Sequence, residues 1–284
     1  MKDLVIRSFA KINICLNVLN RREDGFHDLD MVMVPIELHD SLLMNEVKNT
    51  SDNFVTIDDF SGVKVRHNIA PSALNLIQAK YGIKKKFRVI IHKVIPMQAG
   101  LGGGSSNAAF VLKGVDKFLN LKIPSEELIE LSKQLGSDVP FFIPCKPARC
   151  RGTGGEFEPI TIKNNYYVLI VKPEKGCSTK DVFEASDGIE LVTGSVDNVV
   201  QALAEGNDKL LAESIFNSLE EPATKIVPEI KVIKEKLTKM GLDIVIMTGS
   251  GSAVIALNTN LSLIKNIARK LEDDYIVEIT KIMK

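Results

Sequence analysis

The chain has 284 residues, 45% hydrophobic and 25% charged, the mix of a globular protein with one large or two ordinary domains. Lysine plus arginine equals aspartate plus glutamate at 36 each, so no global field draws nucleic acid or an anionic membrane. No apolar run approaches membrane-spanning length, and any anionic ligand must be held by a local site.

The opening MKDLVIRSFAKIN lacks the uninterrupted apolar core of a signal peptide. The cysteines Cys15, Cys145, Cys150 and Cys177 have neither C-x-x-C nor zinc spacing, so reduced thiols and a cytoplasmic location are expected. Cys150 lies between Arg149 and Arg151, but nothing beside it supplies a base.

KDLVIRSF and KINICLNVLN read as strands broken at Ala10, followed by the polar turn RREDGFHDLD with its Asp24-Gly25 pair. FRVIIHKVIP is a further β-run. Ala108, Val111, Leu112, Val115 and Phe118 then recur at helical spacing. A second helix is expected from Ser125, as N-cap, to Leu135, with Gly136 as its stop. The glycine-rich CRGTGGEFEPITIKNN is the expected domain boundary. Beyond it come strand (YYVLIVKP), helices through Lys239, strand (LDIVIM), the turn TGSGS, strand (AVIAL), helix (SLIKNIARKLE) and strand (YIVEITKI). Strands both paired and interleaved with helices indicate two α+β domains, residues 1–153 and 154–284.

Between the β-run and the first helix, Gly100, Gly102, Gly103 and Gly104 fall within five positions, followed by Ser105 and Ser106. Glycine is costly to order, and one or two would suffice for a tight turn. A β-run, glycines and a serine-initiated helix form a phosphate cradle: backbone N–H groups and the positive helix end meet an anion with no Cβ between. It is not Walker A, because Gly104 is followed by serine rather than lysine. Nor is it the dinucleotide fingerprint, whose last glycine would fall at Ser105. The protein-kinase motifs are absent.

The stretch PMQAGLGGGSSNAA resembles the P-x-x-x-G-L-G-S-S-A-A loop of the GHMP kinases, which include galactokinase, homoserine kinase, mevalonate kinase and phosphomevalonate kinase. Four more blocks, in order, are similar to the branch of that family acting on a cytidine-diphosphate-linked methylerythritol in the non-mevalonate isoprenoid pathway. They are AKINICLNVLNRREDGFHDLDMVM, LGSDVPFFI, KPEKGCSTKDVF, and the tail running from NSLEE to TGSGSAV. Three departures stand out: Phe26 replaces the usual tyrosine, Gln98 and Ala99 replace a glycine pair, and one extra residue lies between Gly152 and Glu156.

The resemblance implies an N-terminal domain like the second domain of ribosomal protein S5 and a ferredoxin-like C-terminal domain. It implies phosphoryl transfer from ATP, with Mg²⁺, to the 2-hydroxyl of that small sugar-alcohol substrate, with neither nucleic acid nor membrane as partner. Pro96, Met97, Gln98, Ala99, Gly100, Leu101, Gly102, Gly103, Gly104, Ser105 and Ser106 would form the ATP loop, with Ser106 a magnesium contact. Asn75 would touch adenine. Asp138, in GSDVP, would accept the proton of the attacking alcohol, where such an aspartate is otherwise a turn residue. Lys11 would steady developing charge near a carboxylate, with Asn13 on the same strand face. His27 would hydrogen-bond the cytosine, and Phe26, Thr179 and Phe183 would line the substrate pocket. The turn Thr248–Gly251 would fold back beside the loop. His39, His67 and His92 match nothing in the family pattern and are expected at the surface or a strand edge. Another GHMP small-molecule kinase, of homoserine or mevalonate type, and a non-catalytic nucleotide-binding paralogue remain the alternatives.

Overall fold

The computed structural model describes residues 3–58 and 68–284. The expected break at Ala10 does not occur. Asp3–Arg21 is one strand, β1, because Ser8, Ala10 and the run from Lys11 to Val18 are buried, and burial outweighs alanine's weak strand preference. A turn built on Gly25, at φ 84°, leads into the long strand β2, His27–Val47, which pairs with β1.

Two compact units emerge, each drawn from separated stretches of chain. The first comprises Met1–Ala10, Leu38–Pro96 and Gly102–Cys145. Its central strand β4, Lys86–His92, runs parallel to β3, Phe54–Asp58, and antiparallel to the second half of β2, with Ser41 opposite His92 and Val47 opposite Lys86. Phe87, Val89 and Ile91 alternate into the core, the period-two pattern of a half-buried strand. Two helices, α1 (Ala70–Tyr81) and α2 (Gly103–Leu119), pack against each other. Phe118 of α2 meets the Phe87 ring edge-to-face at 5.4 Å. The next helix, α3, spans Ser125–Ser132, shorter than expected. Ser125 is its first residue and not its cap, since Pro124 takes the capping position, and Ser132 Oγ turns back to the Ile129 carbonyl.

The second unit comprises Lys11–Glu37, Met97–Leu101 and Lys146–Lys284. Its four-stranded sheet has the order β10-β7-β9-β8, where β7 is Tyr167–Lys172, β8 Ile244–Met247, β9 Val254–Asn258 and β10 Ile276–Lys281. Counted from β7 that order is fourth, first, third, second, all antiparallel, which is the ferredoxin-like arrangement expected. Between β7 and β8 lie α4 (Thr179–Ser186), α5 (Val196–Glu205), α6 (Asp208–Ser214), α7 (Glu220–Ile226) and α8 (Glu229–Lys239). α9 (Leu261–Ala268) joins β9 to β10. Ser178, Ser195, Asn207 and Asn260 cap α4, α5, α6 and α9 by accepting a backbone N–H from the first turn.

The units do not divide by a single cut after residue 153. The glycine-rich stretch there is a hairpin, β5 (Ala148–Gly152) and β6 (Glu156–Pro159), closed by Gly154 N–H to the Arg151 carbonyl. β5 pairs in turn with β2, Leu29 opposite Gly152. None of the four cysteines forms a disulfide, and Cys150 is fully buried, so the neighbouring arginines do not make it an accessible thiol.

Candidate active site

The glycine stretch divides between the two units along the chain. Residues Met97–Leu101 belong with the second unit. Gln98, at φ 52°, turns its carbonyl to accept the N–H groups of Cys177 and Ser252, each at 3.2 Å. Gly100, at φ 75°, lies so close to the Thr248–Gly251 turn that a Cβ would fall 2.0 Å from the Thr248 carbonyl oxygen. The turn therefore does fold beside the loop, as expected. It is steadied by Asn217, whose amide donates to the Met247 and Gly249 carbonyls at 2.8 and 2.9 Å.

Lys11 and Asn13 join this cluster from β1. Lys11 N–H donates to the Leu101 carbonyl at 3.0 Å, and Asn13 N–H to Thr248 Oγ1 at 2.8 Å. Both side chains are buried, on one face, and Lys11 Nζ donates to Asn13 Oδ1 at 2.6 Å. A lysine only 4% exposed in a strand is not a solvated edge residue. Thr179 reaches the same turn, its hydroxyl 3.0 Å from that of Ser250.

In the first unit, α2 starts without a side-chain cap. Its N-cap, Gly102, is left-handed at φ 68°, and the first helical bond is Ser106 N–H to the Gly102 carbonyl at 2.8 Å. The N–H groups of Gly103, Gly104 and Ser105 precede that bond and face the end of the helix. The glycines here differ in what requires them. Gly102 has the positive φ, and a Cβ on Gly103 would crowd Lys93 Nζ at 3.0 Å and Ile95 at 3.1 Å. Gly104 is exposed, has ordinary helical φ, and a Cβ there would meet nothing within 4 Å. Nothing in the protein itself requires glycine at 104.

Ser106 does not present its hydroxyl to that open end. It is fully buried, donates to the Phe9 carbonyl at 2.5 Å and lies 2.7 Å from Ser8 Oγ, so the expected magnesium contact has no support in its geometry. One residue on, Asn107 is 3% exposed and its Oδ1 is buried without a hydrogen-bond partner.

Asp138 also lies in the first unit, half-buried, one residue before the buried Val139 and the 3₁₀ turn Pro140–Phe142. Lys113 of α2 donates to the Ile143 carbonyl just past that turn at 2.8 Å, tying the Asp138 segment to α2. Burial pushes the Lys113 ammonium below its ordinary pKa. Asn75 sits exposed on α1, accepting from Asn53 Nδ2 at 3.2 Å.

The sequence reading missed the buried pair that anchors the loop's entry. Asp40, fully buried, accepts from Lys93 Nζ at 2.5 Å, from Val94 N–H at 2.8 Å and from Ile95 N–H at 2.9 Å. Removing one charge strands the other inside, so Asp40→Asn is expected to lower unfolding free energy by about 3–5 kcal/mol in urea titration. A loss under about 1 kcal/mol would mean that the pair contributes little.

His27 heads β2 beyond the Asp24-Gly25 turn. Its Nε2 is 2.8 Å from Asp187 Oδ1, and its ring lies 5.0 Å from the Phe183 ring at 30°. Two of the expected substrate residues are thus brought together, along with a carboxylate that was not foreseen. Phe26 is 58% exposed and offers a free ring face. Of the remaining histidines, His92 pairs with Asp58 at 3.0 Å and His39 packs edge-to-face on Phe9; His67 lies outside the described residues.

Comparison with known proteins agrees with this architecture. The GHMP kinases N terminal domain matches residues 68–145, and the GHMP kinases C terminal domain matches residues 199–277. The chain is 35% identical over 259 residues to 4-diphosphocytidyl-2-C-methyl-D-erythritol kinase of Bacillus mycoides strain KBAB4, covering 89% of this chain and 88% of that one. The Bacillus pumilus enzyme of the same name is 34% identical over 253 residues, 87% of this chain and 86% of that one. A crystal structure of 4-(cytidine 5'-diphospho)-2C-methyl-D-erythritol kinase superposes with TM-score 0.81 at 30% identity, covering 99% of this chain and 100% of that one. Homoserine kinase from Cytophaga hutchinsonii shares the fold, with TM-score 0.74 at 15% identity over 97% of this chain and 94% of its own. The chain belongs to the GHMP kinases, in the family of 4-diphosphocytidyl-2-C-methyl-D-erythritol kinases.

Proposed function

We propose that this enzyme transfers the γ-phosphoryl group of ATP to the 2-hydroxyl of 4-diphosphocytidyl-2-C-methyl-D-erythritol, a step of non-mevalonate isoprenoid synthesis. The observation that carries the reading is the start of α2: an uncapped helix end with a glycine, Gly104, whose missing side chain leaves room only for something outside the chain. Backbone N–H groups there suit phosphate oxygens. Bound Mg²⁺ would supply charge neutralisation between those oxygens, and the N-terminal turn of α2 is where its phosphates would sit.

The chain's own groups then divide the remaining work. Asp138 accepts the proton of the attacking alcohol, and its segment is kept in register by buried Val139 and by Lys113 of α2 on the Ile143 carbonyl. Lys11, held by Asn13, steadies negative charge developing on the reacting oxygens. Asn75 contacts the adenine. His27 hydrogen-bonds the cytosine, Phe26 gives it a stacking face, and Thr179 and Phe183 complete that wall. Catalysis on this account is mostly positioning and charge stabilisation. Among the described residues no helix is long and apolar enough to cross a membrane. We place the enzyme in the cytoplasm, where its cysteines, none of them in a disulfide, would stay reduced.

An ATP-consumption assay with 4-diphosphocytidyl-2-C-methyl-D-erythritol, homoserine and mevalonate as acceptors tests the reading. Consumption that depends on the cytidine compound is expected. Turnover of another alcohol in its place would overturn the substrate, and nucleotide binding without turnover on any acceptor would overturn the chemistry.

A further inference from the structure

The Asp187–His27 pair bears on which base the acceptor pocket takes. His27 is held on two sides. Phe183 covers one ring face, and Asp187 meets Nε2 at 2.8 Å, leaving the side chain 9% exposed. Asp187 is itself fixed: it ends α4, its N–H donating to the Glu184 carbonyl, and its second oxygen takes Arg21 Nη1 at 3.1 Å. The turn before His27 is equally tied, with Arg22 N–H on the Phe26 carbonyl at 2.7 Å and Phe26 N–H on Asp24 Oδ1 at 3.1 Å. Neither the ring nor the carboxylate has much freedom to reorient.

A carboxylate oxygen only accepts, so the nitrogen facing it must carry the proton. In the neutral imidazole the other nitrogen, Nδ1, is then a bare acceptor. Among the described residues no hydrogen bond to Nδ1 is present. A ligand meeting this edge of the neutral ring must therefore donate. The 4-position of cytosine carries an amine, a donor, whereas uracil carries a carbonyl there, and two acceptors facing each other are both left unpaired.

We propose that Asp187 is a positioning residue that locks His27 in the Nε2–H form and so makes the acceptor site select an aminopyrimidine over an oxopyrimidine. The proposal rests on the reading that the acceptor is cytidine-linked, and it names what enforces that choice. Asp187 touches no substrate in this account; it acts through the proton position on His27.

The test compares the cytidine- and uridine-diphosphate-linked forms of methylerythritol in the full-length enzyme, with ¹⁵N NMR of the His27 ring as a second readout. Wild type is expected to show Nε2–H and to prefer the cytidine form by about 100-fold or more in kcat/KM, as sites built around one hydrogen bond do. Asp187→Asn can turn its amide N–H toward Nε2, which moves the proton to Nδ1. That variant should show Nδ1–H and lose about ten-fold or more of the preference, with the KM for ATP unchanged. Asp187→Glu, which keeps the acceptor, should retain Nε2–H and the wild-type order of preference. An unchanged tautomer and an unchanged cytidine-to-uridine ratio in Asp187→Asn would overturn this proposal while leaving the kinase reading intact. Wild type that turns over neither compound would instead overturn the proposed function, and this proposal with it.

Discussion

Asp138→Asn is expected to lower kcat by about 10²–10⁴-fold, the usual worth of a positioned proton acceptor. Asparagine keeps the shape and can still accept a hydrogen bond, but it cannot take the proton of an alcohol. The half-buried position of Asp138 argues that the substitution is tolerated by the fold. The segment is anchored by its neighbours: Val139, Phe141 and Phe142 are fully buried, and Lys113 holds the carbonyl of Ile143. ATP affinity by calorimetry should survive, because on the proposed reading the N–H groups at the start of α2, and not this carboxylate, would hold the phosphates. A structural aspartate would give the reverse pattern, with a lowered melting temperature and near-normal kcat in the folded fraction. Turnover within a few-fold of wild type at saturating substrates would remove proton abstraction from the mechanism and leave Lys11 and positioning to carry it.

Much of this architecture was legible because local physics coincides with the final fold. Phe87, Val89 and Ile91 alternate in sequence because one face of β4 is buried, and Ala108, Val111, Leu112 and Val115 recur because one stripe of α2 is. The glycine loop was legible as a departure from that economy. What escaped were properties created by distant partners. His27 meets Asp187 across 160 positions, and Lys93 meets Asp40 across 53, separations at which neither residue's neighbourhood hints at the other. The hairpin in the glycine-rich stretch escaped for a related reason. Turn residues such as Gly152 and Gly154 look alike in a linker and in a tight hairpin, and only pairing of β5 with β2 decides between them.

Ser105 and Ser106 illustrate the limit at the level of one helix turn. Adjacent helical residues point about 100° apart, so one of two serines faces the core and the other does not. Sequence supplies the pair and not the phase. Here the phase buries Ser106 against Phe9 and Ser8 and leaves Ser105 half-buried. Phase also separates the loop's glycines. A valine at Gly103 would press on Lys93 and Ile95, mixing damage to the fold with damage to the site.

Gly104→Val should instead abolish most ATP binding while leaving the protein as stable as before, or slightly more so. A Cβ added here meets no protein atom within 4 Å, and the backbone at 104 needs no positive φ. Removing a glycine from an ordinary helical conformation restricts the unfolded chain and gains about 0.4–1 kcal/mol, from which valine's poorer helix preference subtracts a few tenths. The cost falls on the ligand. A Cβ branch at this position occupies the space through which phosphate reaches the N–H groups of Gly103, Gly104 and Ser105. Hydrogen bonds to a charged group contribute about 1.5–3 kcal/mol each, so losing two of them should weaken ATP by about 100-fold or more. Calorimetry for ATP and thermal melting of the unliganded protein read the two halves separately. If affinity falls and the melting temperature falls with it, Gly104 serves the fold and the open space at the helix end is incidental. If affinity is unchanged at full stability, the phosphates bind elsewhere and the cradle assignment fails. Loss of affinity at undiminished stability is the combination that only a ligand-facing glycine produces.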